Sequence, residues 1–147
     1  MVVNISPAML LPAVALVLWS LAMLFWMAFV RFSAFKTANI GLATAPPGGR
    51  GQDLEGVLPK QVNWPAHNYT HLMEQPTIFY PTVLILALAG QGNGTNVALA
   101  WAYVALRIVH SIWQATVNRL TLRFGIFLAS TIILTVLAVR AFVALLP

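Results

Sequence analysis

Cysteine is absent from the 147-residue chain, which excludes disulfides, thiolate metal centres and a nucleophilic thiol carried by the protein itself. Any thiol chemistry must therefore arrive with a cofactor or co-substrate. Charge is also scarce, at 7% of residues, where a soluble domain carries about 25%. The only acidic residues are Asp53, Glu55 and Glu74, and the eight Lys and Arg are scattered singly. No basic run marks a nucleic-acid surface, so the net charge of +5 is read as topology signals and buried partners. Gly48, Gly49 and Gly51 cluster, but the GK[ST] ending and a preceding strand are missing. That segment is read as a Pro- and Gly-rich loop around 45–51, not a phosphate cradle.

What the chain has instead is apolar length. Hydrophobic residues make up 60% of it and the mean hydropathy is +0.83, which places it among integral membrane proteins. About 20 apolar residues span the hydrocarbon core. Four stretches predict transmembrane helices, at about 7–30, 65–89, 97–117 and 123–146, within one all-α membrane domain covering 1–147. No positive charge precedes the first, and its apolar run exceeds that of a typical signal peptide. The connections at 31–63 and 118–123 carry Lys and Arg, whereas the turn at 90–96 carries none. The positive-inside rule makes the two basic connections cytoplasmic and both termini non-cytoplasmic.

Polar residues interrupt the oil in two places. In 66–81, His67, His71 and Glu74 share one helical face, with Asn68 and Gln75 in a stripe beside them. In the third span, Arg107, His110 and Gln114 form a second stripe, and the topology sets the two at the same depth. Glu74 is the only acid in any span and Arg107 the only base well within one, so a buried Glu74–Arg107 ion pair is expected. Such a pair serves a structural role or a ligand equally well. Pro76 and Pro81 each remove a backbone hydrogen bond, and a kink is expected near the polar face. Surplus arginines at this mouth, Arg31, Arg119 and Arg123 among them, suit a carboxylate-bearing ligand or lipid phosphates. A metal or haem held by His67, His71, Glu74 or His110 ranks third, because ligands on one helix face form a line.

The third and fourth spans, AWAYVALRIVHSIWQATVNRLTLR, resemble the MAPEG family, the membrane-associated proteins in eicosanoid and glutathione metabolism. Arg107 and His110 match its Arg-x-x-His, and Arg119 and Arg123 match the Arg-x-x-x-Arg at the start of helix four. The stretch AHNYTHLMEQPTIFY is similar to the Asn and Glu motif of bacterial-type members. The chain departs from the best-studied enzymes in spacing Asn68 and Glu74 six apart, and in having Gln114 and Phe127 where tyrosines are frequent. The resemblance implies a four-helix subunit in a homotrimer, in the bacterial inner membrane or endoplasmic reticulum, with glutathione sites facing the cytoplasm. On that analogy glutathione is a co-substrate in transferase or peroxidase chemistry on a lipophilic electrophile. Arg123 would stabilise the thiolate, and Arg31, Asn68, His71, Glu74, Arg107, His110 and Arg119 would line the binding site. A non-catalytic accessory subunit is the alternative.

Overall fold

A computed structural model describes residues 5–41 and 47–147; Ala45 and Pro46 of the expected loop lie outside them. Among the described residues the regular structure is entirely helical: α1 (Pro7–Thr37), α2 (Lys60–Leu72), α3 (Pro76–Leu88), α4 (Gly94–Thr116) and α5 (Leu120–Ala144), with a 3₁₀ turn at Gly51–Leu54. The expected second span is thus two helices, broken at 73–75. Together α2 and α3 occupy one position of a four-position bundle.

Helix α1 runs seven residues past the end expected at residue 30, so Arg31 sits on a helix and not in a loop. At 31 residues and 1.5 Å each it is about 46 Å long, longer than the hydrocarbon core. Its stop is chemical. Asn39 adopts the left-handed conformation (φ 55°) and the Ile40 N–H donates to the Phe35 carbonyl at 3.0 Å. Gly90 (φ 72°) ends α3 in the same way, with the Gln91 N–H donating to the Leu86 carbonyl at 2.9 Å. Helix α2 starts at Lys60 behind Pro59, five residues before the start expected at about 65, so Pro65 falls inside the helix. Helix α5 starts at Leu120, which places Arg123 within its first turn.

Helix α1 packs against α2, α3 and α4, and α5 packs against α4 and α3. The core between them holds Met9, Leu16, Met23, Phe79, Leu86, Tyr103 and Leu137, all at most 1% exposed. Phe79 and Tyr103 stack with ring centroids 4.4 Å apart, joining α3 to α4. At one end of the bundle the Ser6 hydroxyl donates to the Gly92 carbonyl (2.5 Å) and Arg140 donates from Nε to Asn96 Oδ1. At the other, Arg31 donates to the Gly51 carbonyl (3.0 Å) and His67 Nε2 lies 3.0 Å from Glu55 Oε1, which fastens the described loop to α1 and α2. A Cβ on Gly51 would lie 2.6 Å from the Arg31 guanidinium, which would have to swing aside to admit it.

Candidate functional site

The site lies where α2 breaks before α3. Pro76 has no N–H to give the Leu72 carbonyl, and the chain turns through Met73, Glu74 and Gln75 before α3 begins. A helix end exposes carbonyls and carries partial negative charge. Arg107 on α4 answers it: fully buried, it donates from one terminal nitrogen to the His71 carbonyl at 3.1 Å. Its other terminal nitrogen lies 3.5 Å from His71 Nε2.

The expected direct pair between Glu74 and Arg107 is not formed within the chain. Glu74 instead lies 2.7 Å from His71 Nδ1, and its side chain is 61% exposed. The helix break is the reason: it turns Glu74 off the face expected for a continuous helix and leaves His71 between the two charges. A carboxylate only accepts, so His71 Nδ1 carries the proton and Nε2 is the acceptor turned towards Arg107.

Around His71 the structure gathers His110, with ring centroids 5.0 Å apart, and Phe127 at 5.4 Å. These three, with Arg123, Leu120 and Phe124, line a pocket of about 140 Å³ between α2, α4 and the start of α5. Arg123 is held by the Asn118 side chain, which accepts from it at 2.6 Å. Asn118 reaches that position from a left-handed backbone (φ 54°) between α4 and α5. His110 is 2% exposed, and neither ring nitrogen has a hydrogen-bond partner among the described residues.

The other expected residues divide. Asn68 is buried on the preceding turn of α2 and donates to the Ser111 hydroxyl at 2.7 Å, beside His110. Gln114, one turn beyond His110, is buried with an unpartnered Oε1. Arg31 is engaged by Gly51, and the exposed Arg119 side chain makes no hydrogen bond or ion pair among the described residues. His67 pairs with Glu55 while His71 and Glu74 pair with each other, so the row of three is split. No three metal-ligating side chains converge among the described residues.

Two participants, Gln75 and Phe127, are not among the expected site residues. Gln75 bridges α4 and α5, accepting from the Tyr103 hydroxyl (3.3 Å) and donating to the Thr131 hydroxyl (2.8 Å). Phe127 supplies the aromatic wall. Gln75 was visible as a polar stripe, but its partners depend on where the helix breaks.

These features define a helical membrane protein with a polar cluster at a helix break. Helices α1 and α5 are long and apolar enough to cross a membrane, and only 17% and 22% of their apolar windows are buried, unlike the core helices of a soluble fold. A model of the MAPEG family matches residues 9–143, and the chain belongs to that family. The family is membrane-associated and includes glutathione transferases and peroxidases as well as non-catalytic members. No curated protein and no solved structure matches the chain.

Proposed function

We propose that the protein is a multi-pass, trimeric membrane enzyme that binds glutathione at the α2–α3 break and transfers it to, or uses it to reduce, a lipophilic substrate. The observation that carries this reading is His110, buried without a partner on the wall of a pocket that also holds the Arg123 guanidinium. A buried polar group without a partner is costly unless a ligand or water satisfies it. Arg123 is the cation available to a thiolate, and a neighbouring cation raises the fraction of thiol in that nucleophilic form. The thiol proton leaves to water; the thiolate sulfur then bonds to an electrophilic carbon, expelling its leaving group as an anion or adding to an activated double bond that takes up a proton from water. With a hydroperoxide it bonds to the outer oxygen, the O–O bond breaks, the alkoxide takes a proton from water, and a second glutathione converts the resulting sulfenic acid to disulfide and water. The lipophilic partner enters from the bilayer, which the apolar outer faces of α1 and α5 contact.

Family membership supports this assignment of roles, as does the meeting of His71, Glu74, Arg107, His110 and Arg123 at one break. Arg31, Asn68 and Arg119 belong to the ligand set through a neighbouring subunit or through rearrangement on binding. The test is a titration of detergent-purified protein with glutathione, following heat and thiolate absorbance alongside the oligomeric mass. Saturable heat with a thiolate signal that disappears in Arg123→Ala is expected. Absence of binding at millimolar glutathione overturns the enzyme reading, and an unchanged thiolate signal removes Arg123 from its role.

A second reading, a non-catalytic subunit, is favoured by one observation: Arg107, Asn68 and Gln75 already have protein partners. In that case the cluster fastens helices to one another, and glutathione gives no heat.

A further inference from the structure

The end of the bundle remote from the polar break has a pocket of about 410 Å³ lined by Gln91, Asn96, Val139, Arg140, Val143 and Ala144. Arg140 is the only ionisable side chain among the described residues at this end; all three acids of the chain lie in the opposite half. Its position is prepared. Nε donates to Asn96 Oδ1, and the buried Asn96 is fixed in turn by donating to the Gln91 carbonyl at 2.8 Å. The two terminal guanidinium nitrogens have no protein partner among the described residues. That edge of an arginine matches two phosphate oxygens side by side.

Depth and wall composition identify the source of the phosphate. Arg140 lies four residues before the end of the apolar helix α5, at headgroup level if α5 spans the bilayer. Val139 and Val143 beside it are 55% and 58% exposed, so the wall below the cation is apolar and open to the bilayer. A soluble anion gains nothing from that wall, whereas an acyl chain lies along it.

Resting on the membrane-spanning reading and independent of glutathione, we propose that Arg140, positioned by Asn96, binds the phosphate of an anionic phospholipid on the side of the membrane away from the α2–α3 break. Native mass spectrometry of the detergent-purified full chain, with phosphatidylglycerol or phosphatidylcholine added, tests this. Wild type retains phosphatidylglycerol preferentially, and Arg140→Gln lowers its retention about tenfold, the order expected for a charge-assisted contact. Asn96→Asp keeps the α4–α5 contact but neutralises the guanidinium, and it lowers retention similarly. Equal retention of the two lipids by wild type, or unchanged retention in both variants, overturns the proposal. Inorganic phosphate that binds at millimolar concentration and displaces the lipid, with phosphatidylglycerol no tighter than phosphate, also overturns it and leaves a free-anion site.

Discussion

At the residue scale, Arg107 and Glu74 carry opposite charges near one another and differ greatly in what they hold. Arg107 is fully buried and donates to the His71 carbonyl at the helix break, so its removal leaves that carbonyl only the long 3.4 Å bond from the Glu74 N–H and opens a cavity. Arg107→Met is expected to lower unfolding stability by about 2 kcal/mol or more, the range for a hydrogen bond to a charged group. Glu74 is mostly exposed, and the hydrogen bond it accepts from the neutral His71 is worth no more than a surface pair. Glu74→Gln is expected to change stability by less than about 1 kcal/mol. Chemical denaturation of both variants in the same detergent checks the ranking. If Glu74→Gln is the more damaging, Glu74 has a buried partner, such as one on a neighbouring subunit.

At the element scale, the α2–α3 break is a joint held from two sides. Gln75 occupies it, with its amide oxygen accepting from Tyr103 on α4 and its amide nitrogen donating to Thr131 on α5. Gln75→Leu removes two neutral hydrogen bonds and is expected to cost about 2 kcal/mol, at about 1 kcal/mol per bond. Thermal unfolding followed by circular dichroism checks this; wild-type stability in the variant would mean that the Phe79–Tyr103 stack alone fixes the joint. The joint also marks the limit of what was legible. The polar stripes could be read because helical periodicity places residues three and four apart on one face. Their pairing could not, since a break of three residues rotates Glu74 away from Arg107 and puts His71 between them. Pro76 and Pro81 announced a disturbance, but proline in a membrane helix permits either a kink or a full interruption. The helix ends differ from the expected ones for a related reason. Arg31 looks like a boundary to the bilayer, whereas backbone hydrogen bonds continue until a residue accepts the left-handed conformation, which Asn39 does. Arg123 and His110 were recognised as candidates, but their shared pocket depends on Asn118 turning the chain between α4 and α5.

At the scale of the whole molecule, the bundle sorts its charges by end. Arg31, Lys36, Arg50, Lys60, Arg119 and Arg123 lie with the loop and the α4–α5 connection, and Arg140 alone lies with the α3–α4 turn. Under the positive-inside rule this asymmetry predicts that the basic end, and with it the α2–α3 break, faces the cytoplasm. The absence of cysteine makes the orientation directly measurable, because an introduced thiol has no background. Gln52 is exposed in the 3₁₀ turn at the basic end. Asn93 is exposed before α4 at the other end, and its side chain makes no capping hydrogen bond that substitution would remove. In intact cells a membrane-impermeant maleimide is expected to label Asn93→Cys and to leave Gln52→Cys unlabelled until the membrane is permeabilised. The reverse pattern would turn the pocket proposed for glutathione away from the cytoplasm, where that co-substrate is held reduced. Labelling of both before permeabilisation would remove the multi-pass arrangement itself, since the two sites would then share one side.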